Sequence, residues 1–209
     1  MKNTLLLNCT KILWVALIAT ALITTKSNAQ NGDAAFNKGD NVIGISAGVG
    51  VDYGYGTYYG GHYTNLPAIC LTFDHGTFED VGPGNIGIGG IIGFKYSYYN
   101  YNDNNHNNNS YRNTYTNFII AARGTYHLTL LKDKNSKFDP YAGITLGVRI
   151  FTHHYDNPYY NKAYDNYNSV YAVKGVFIGA KYNFSPHVGV FGEFGYDISF
   201  ARVGLNFNF

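Results

Sequence analysis

An alternation of apolar residues with small or polar ones runs through the chain beyond Gly39, and this pattern most constrains the fold. In the first such segment Ile43, Ile45 and Val49 are separated by glycine, serine and alanine. A period of two is typical of β-strands, because successive side chains point to opposite faces. No segment beyond Gly39 carries a helical period over more than two turns. The alternation predicts strands at 43–53, 68–74, 86–97, 117–128, 141–150, 175–184, 188–196 and 201–209.

The less apolar face of these segments is rich in glycine and carries a few charges. A water-soluble sandwich would place many Lys, Glu and Thr residues there, so this face is a poor solvent coat. It suits the lining of a narrow tube, with the apolar face turned to lipid. The sequence therefore predicts an all-β fold, an eight-stranded antiparallel up-and-down transmembrane β-barrel over 41–209. A secreted sandwich with the apolar face as its core is the alternative.

The first 29 residues have the order of an export signal. Lys2 and Lys11 accompany an apolar run over 12–23, which is shorter than a membrane-spanning helix needs. A small residue, Ala29, precedes Gln30, as at a signal-peptidase site. We expect a signal peptide at 1–29, a short N-terminal segment at 30–40 and the barrel at 41–209.

Charge and cysteine content exclude two classes of protein. The signal holds three of the 15 basic residues and none of the 13 acidic ones, so the mature chain has 12 against 13. This balance gives no support for nucleic-acid binding. Only Cys70 remains after cleavage, since Cys9 lies in the signal, so no disulfide can form within the mature chain.

Long and short connections alternate between the predicted strands. The long ones, 54–65, 99–114 and 152–169, are rich in Tyr and Asn. Short ones fall at 78–84, 132–139 and 185–186, with a tight hairpin centred between Asp197 and Ile198. Long external loops and short periplasmic turns are typical of outer-membrane barrels. We expect an aromatic belt at the headgroups from tyrosines near the strand ends, namely Tyr53, Tyr96, Tyr98, Tyr115 and Tyr171.

The final residues, ARVGLNFNF, resemble the terminal strand of bacterial outer-membrane barrels, which ends in an aromatic residue after alternating apolar ones. FDPYAGITLGVRI (138–150) and SPHVGVFGEFGYD (185–197) are similar to the fifth and seventh strands of the small outer-membrane β-barrel family, which includes OmpX-like, OmpA-transmembrane-like and OmpW-like proteins. The resemblance implies an outer-membrane location. It also implies that the barrel-assembly machinery reads a signal formed by Val203, Leu205, Phe207 and Phe209. It leaves the function open, because the family includes structural, adhesive, channel-like and enzymatic members.

Charged side chains on the less apolar face are predicted to lie inside the barrel, where an unpaired charge is costly. The hairpin centred at 197–198 places Glu193 directly opposite Arg202, with Lys181 one strand away. We expect a Glu193–Arg202 pair, reinforced by Lys181, that plugs and rigidifies the tube. The predicted luminal set is Asp52, Asp74, Lys95, Arg123, His127, Arg149, Lys181, Glu193 and Arg202.

A wide pore, an enzyme and a metal site are each disfavoured. Eight strands leave a lumen that side chains can fill, and Tyr141, Phe151, Phe177 and Phe191 are predicted to fill it. No nucleophile or histidine is predicted beside Glu193, and no other feature fixes Ser169 near His154 as a lipid-modifying pair would require. The external histidines His62, His106, His153 and His154 lack Cys or carboxylate partners at ligand spacing, so solvated side chains are expected.

The sequence thus predicts an outer-membrane protein without catalysis, cofactor or metal, with external loops and periplasmic termini. Its expected role is structural or surface-binding, because Tyr and Asn in the loops supply contact area and adaptable hydrogen bonds. The expected partners are outer-membrane lipid, the barrel-assembly machinery and an extracellular ligand of unknown identity. A narrow channel for small or apolar solutes is the alternative.

Overall fold

The structure, a computed structural model, describes residues 35–50, 61–103, 109–130, 135–156 and 167–209. The predicted signal peptide, Asp52, Tyr53 and His106 lie outside this part of the chain. Within it no helix is long and apolar enough to cross a membrane. The strands are β1 Asn41–Val49, β2 Gly61–Asn65, β3 Ala68–Val81, β4 Gly84–Asp103, β5 Asn109–Leu128, β6 Phe138–Asp156, β7 Tyr167–Asn183, β8 Val188–Gly195 and β9 Ala201–Asn208.

The strands form a closed antiparallel ring. β1 pairs with β3, each strand from β3 onward pairs with the next along the chain, and β1 pairs with β9 to close the sheet. β2 continues the line of β3 along β4, because Asn65 lies opposite Ser97 and Ile69 lies opposite Phe94. The break between them falls at Leu66 and Pro67, where proline has no N–H to donate to a ladder. The ring therefore has eight positions, which confirms the predicted eight-stranded barrel.

The two ends of the barrel differ in height. One end, called the terminal end, carries the short turns at 82–83 and 184–187, the nine-residue connection from β5 to β6 and the outer ends of β1 and β9. At the opposite end, called the hairpin end, β8 and β9 are joined by a short turn at 196–200, whereas β4 to β7 continue further. The continuation, called the hairpin wall, consists of residues 95–103, 109–119, 149–156 and 167–173.

The hairpin wall corrects the predicted loop boundaries. The connection predicted at 99–114 is strand at 99–103 and 109–114, since β4 and β5 pair as far as Asp103 opposite Asn109, and the one predicted at 152–169 is strand at 152–156 and 167–169. Part of the connection predicted at 54–65 forms β2. Tyr and Thr favour strands, and polar cross-strand contacts extend a ladder without an apolar face. One such contact joins Arg112 Nε to Asn100 Oδ1 at 2.9 Å.

The outer surface of the barrel is apolar and the inner one is polar. Val203, Leu146 and Phe194 expose 69%, 66% and 65% of their surface, whereas Glu193 and Asn206 expose 3% and 0%. One charged residue, Lys174, is also exposed on this outer surface, opposite Leu146. It lies before the predicted segment, which starts at 175, because β7 begins earlier, at Tyr167. A polar interior inside an apolar exterior is the arrangement that a strand-built membrane protein requires.

Side chains fill the interior in layers. Tyr141, Phe151, Phe177 and Phe191 are all buried, as the sequence predicted. Near the hairpin end an apolar cluster closes the tube, with Ile198 reaching inward from the β8–β9 turn. Glycine makes room for it: a Cβ at Gly93 would lie 3.0 Å from Ile198 Cδ1. The cluster consists of Ala68, Cys70, Ile91, Ile119, Ala121, Val173 and Ile198.

Candidate functional site

The central layer of the lumen is built around the Glu193 carboxylate. Glu193 on β8 lies opposite Arg202 on β9, and Arg202 donates from Nε to Glu193 Oε2 at 2.6 Å and also contacts that oxygen through Nη2. On the other carboxylate oxygen, Arg123 donates from Nη2 at 2.9 Å and the Tyr141 hydroxyl donates at 2.7 Å. Both oxygens of the buried carboxylate are therefore satisfied by charged or polar donors.

Asp197 completes this layer from the β8–β9 turn. Its Oδ2 lies 3.3 Å from Arg202 Nη2, and the Thr145 hydroxyl donates to the same oxygen at 3.3 Å. Two carboxylates thus face two guanidinium groups, so the formal charges balance inside the tube. Arg123 also lies 4.1 Å above the Phe177 ring. The central cluster is defined as Arg123, Tyr141, Glu193, Asp197 and Arg202.

A second ionic layer, the terminal cluster, lies near the terminal end and consists of Asp74, Thr125, His127, Asp139 and Lys181. His127 Nδ1 lies 2.8 Å from Asp139 Oδ2, and His127 Nε2 lies 3.4 Å from Asp74 Oδ2. The Thr125 hydroxyl donates to Asp74 at 2.9 Å. Lys181 Nζ lies 3.8 Å from both carboxylates. Two acids from two different strands are therefore held together by Lys181 and the His127 imidazole between them.

The N-terminal strap, residues 35–40, covers the terminal cluster. Phe36 is buried, and its ring stacks on His127 with centroids 3.8 Å apart. Asn85 Nδ2 donates to the Phe36 carbonyl at 2.7 Å, and the Gly39 N–H donates to Gly76 O at 2.8 Å. The strap therefore closes the terminal mouth with an aromatic ring.

The structure separates the predicted luminal residues into three groups. Arg123, Glu193 and Arg202 meet in the central cluster. Lys181, predicted to reinforce the Glu193–Arg202 pair, instead has Asp74 and Asp139 as its acidic neighbours. Arg149 lies in the hairpin wall, with its guanidinium 4.6 Å above the Tyr171 ring. Cross-barrel contacts depend on the stagger of the strands, which neighbour pairing along the sequence does not reveal.

The alternation in the sequence does not identify several residues that fill the lumen. Asp139 was placed in a turn, and neither Asp197 nor Ile198 was expected to point inward. Phe36 lies in a segment without alternation, so periodicity gave no signal for it. The order FDPY before an alternating segment was a weak signal for Asp139, because a charge at the first inward position of a strand faces the lumen.

Thr125, His127 and Asp139 have the order of a nucleophile, a base and an orienting acid, since His127 Nε2 also lies 3.0 Å from Thr125 Oγ1. All three side chains are buried, and Phe36 covers the imidazole. The Thr125 hydroxyl is directed to Asp74. The arrangement acts as a brace between strands.

Ser169 and His154, the other candidate pair, lie apart. Ser169 is opposite the buried Phe151, whereas His154 is exposed on the other face of β6. His153 contacts Asn113, with Nε2 and Oδ1 3.2 Å apart. Among the described residues no three His, Cys, Asp or Glu side chains are placed to hold a metal ion.

The inner face of the hairpin wall carries a group of touching aromatic rings. Tyr115 and His153 stack with centroids 4.9 Å apart, and His153 lies 5.2 Å from Tyr167. Phe151 lies between Tyr115, Tyr167 and Tyr171 at 5.9 to 6.4 Å. Tyr115 and Tyr171, predicted for the headgroup belt, therefore belong to this inner face.

The proposed assembly residues lie on the closing strand. Val203, Leu205 and Phe207 face outward from β9 and are exposed. Phe209 forms two backbone hydrogen bonds with Asn41, at 3.0 and 3.1 Å, and so ties the end of the chain to the start of β1. The apolar terminal pattern thus lies directly at the seam of the barrel.

Fold and lumen together define a small transmembrane β-barrel whose interior is filled. Solved structures similar to the chain include the N-terminal β-barrel domain of Pseudomonas aeruginosa OprF, at 12% identity and a TM-score of 0.46 over 83% of this chain and all of that one. Ail, the attachment invasion locus protein of Yersinia pestis, was solved with the heparin analogue sucrose octasulfate; it aligns over 82% of this chain and 99% of its own, at 12% identity and a TM-score of 0.45.

The outer membrane protein OprG of Pseudomonas aeruginosa aligns over 85% of this chain and 99% of its own, at 15% identity and a TM-score of 0.45. These neighbours are small outer-membrane β-barrel proteins, the group that the terminal strand resembles. No family model and no curated protein matches the chain.

Proposed function

We propose that this protein is an integral outer-membrane barrel that acts as a structural element and as a surface-binding platform, without catalysis. The observation that carries the proposal is the reversed polarity of a closed ring: an apolar exterior around two buried clusters of charged and polar side chains. An exposed apolar belt needs lipid around it. A lumen filled at three levels supports a role outside the tube.

The unequal ends support an orientation. Outer-membrane barrels have short periplasmic turns and longer extracellular connections. The terminal end has the short turns and both ends of the sheet, and the hairpin end has the wall. We place the hairpin wall outside the cell and the termini in the periplasm, where the assembly machinery would meet β9.

The hairpin wall is the surface proposed to bind an extracellular partner. It joins tyrosine rings with amide side chains, and Tyr167 and Tyr171 are exposed on its inner face. Aromatic side chains with few rotatable bonds give large contact areas at low entropic cost, and amides add adaptable hydrogen bonds. Rigid strands hold these rings in place better than a loop would.

Gel mobility and protease treatment test location and orientation together. A closed barrel in the outer-membrane fraction runs faster without boiling than after it. Trypsin added to intact cells should cut after Lys162, between β6 and β7, and should cut after Lys137 at the terminal end only once the membrane is opened. A chain in the soluble fraction without a heat-dependent shift would refute the barrel, and cleavage at Lys137 in intact cells would reverse the orientation.

Conductance separates the proposed role from a narrow channel. The purified barrel in a planar bilayer should give no single-channel steps, because side chains occupy the lumen from Phe36 to Ile198. Reproducible steps that disappear on heat denaturation would favour the channel. A variant with Ile198→Gly and Phe36→Gly tests whether the two closures are what blocks the current.

A further inference from the structure

A small cavity lies between the central and terminal clusters. Its volume is about 10 Å³, and Thr72, Arg123, Lys181 and Asn206 are among the residues that line it. The carboxylates of Asp74 and Glu193 also border it. A space of this size is at the lower limit of what holds one water molecule.

Three buried polar atoms of the cavity walls have no hydrogen-bond partner among the described residues. They are Arg123 Nε, Lys181 Nζ and Asn206 Oδ1. All three side chains are more than nine-tenths buried. Lys181 is 3.8 Å from its carboxylates, which is too long for a hydrogen bond. Buried polar atoms are nearly always satisfied by protein or by ordered water, so three of them around one cavity indicate a bound group.

The geometry points to one water molecule, bound between Arg123, Lys181 and Asn206, as a fixed part of the lumen. The two cations offer N–H donors, so the bound group must accept hydrogen bonds, and a metal cation would be repelled. Asn206 Oδ1 needs a donor, which a halide lacks. Water accepts from both cations and donates to the amide oxygen, and so satisfies all three atoms.

The orientation of the Asn206 amide decides between water and an anion. Its Nδ2 donates to Asn183 Oδ1 at 2.8 Å and to Asn208 Oδ1 at 3.1 Å. Turning the amide over would place its oxygen against both of those acceptors. The oxygen therefore stays without a donor among the described residues, and an anion in the cavity would not supply one.

The water joins the central cluster to the terminal cluster and to the closing strand. Lys181 belongs to the terminal cluster and Arg123 to the central cluster, while Asn206 lies on the closing strand β9. One water molecule with these three partners connects β5, β7 and β9. The inference does not depend on the role of the hairpin wall.

A crystal structure at high resolution gives the direct test. An oxygen-sized peak within hydrogen-bond distance of Arg123 Nε, Lys181 Nζ and Asn206 Oδ1 is expected. Crystals soaked in bromide should show no anomalous peak there. A bromide peak would replace the water with an anion site, and no peak in either crystal would overturn the inference.

A double-mutant cycle tests the coupling in solution. The unfolding equilibrium constants of Lys181→Met, Asn206→Leu and the double variant are compared in lipid vesicles. We expect the double variant to differ from the product of the single effects by about fivefold, because the second substitution removes a partner of a water already lost. Thr145→Val with Lys181→Met is the control pair, since Thr145 contacts Asp197 and does not line the cavity, and its effects should multiply. Effects that multiply in both pairs would refute the shared water.

Discussion

Arg202 is the side chain whose loss should most disturb the interior, because both acids of the central cluster depend on it. Removing one member of a buried ion pair typically costs about 3–5 kcal/mol. In the variant Arg202→Met, Glu193 would keep the Arg123 and Tyr141 donors, and Asp197 would keep the Thr145 hydroxyl and the backbone N–H groups of Ile198 and Ser199. We therefore expect a loss at the lower end of that range, about 3 kcal/mol in the free energy of unfolding.

The assay is urea unfolding in lipid vesicles, followed by circular dichroism at the strand band. Circular dichroism is suitable because the single tryptophan, Trp14, lies in the predicted signal peptide, and cleavage there would leave the chain without one. Heat modification on gels gives an independent midpoint.

Two control variants separate lost pairing from lost volume. Adding Glu193→Gln should recover part of the loss, since the amide oxygen still accepts from Arg123 and Tyr141 and the layer again holds one acid, Asp197, and one cation, Arg123. Arg112→Met removes an exposed cation that lies 4.8 Å above the Tyr98 ring, and it should cost less than about 1 kcal/mol. If Arg202→Met costs no more than Arg112→Met, the ionic filling does not stabilise the barrel.

Three further substitutions test other parts of the structure. Phe36→Ala should lower the free energy of unfolding by about 3 kcal/mol, because the ring is buried on His127. The control Phe78→Ala, on the outer surface, should cost clearly less in the same unfolding assay. Equal losses would refute the strap as a seal. Gly143→Ala should cost about 1–3 kcal/mol, since its Cβ would lie 2.3 Å from the Phe177 ring, whereas Gly192→Ala meets no atom within 4 Å and should be close to neutral; similar midpoints for the two would contradict the close packing. Ile178→Arg on the outer belt should cost about 2–4 kcal/mol in vesicles, and Asn168→Arg in the hairpin wall should be tolerated; a tolerated Ile178→Arg would argue against lipid contact at that position.

The alternation in the sequence is sufficient to predict the eight-stranded ring and the face of the sheet on which the residues of each predicted strand lie. It places Ile45 outside and Ser46 inside by a rule that holds for any strand next to lipid. The strand ends were harder, because the Tyr and Asn residues of 99–114 have no apolar face, and a polar strand and a polar loop share that composition. Cross-strand pairing extends β4 and β5 there, and it becomes visible only once both strands are placed.

Contacts across the lumen were the part that sequence reasoning could not reach. Lys181 lies one strand from Glu193 in the pairing order, yet it approaches Asp74 and Asp139 because the stagger of a closed barrel brings distant strands together. The strap and the β8–β9 turn lack periodicity, so the inward positions of Phe36 and Ile198 follow from the shape of the space they fill.

The β8–β9 hairpin carries Glu193, Asp197, Ile198 and Arg202 as well as the strand that pairs with β1. The hairpin that closes the ring of strands therefore also carries the side chains that fill the lumen. A sheet still waiting for its last two strands would be open to water along its side and unfilled at its centre, with Arg123 facing no carboxylate from Glu193. Closing the ring and filling its centre therefore depend on the same hairpin.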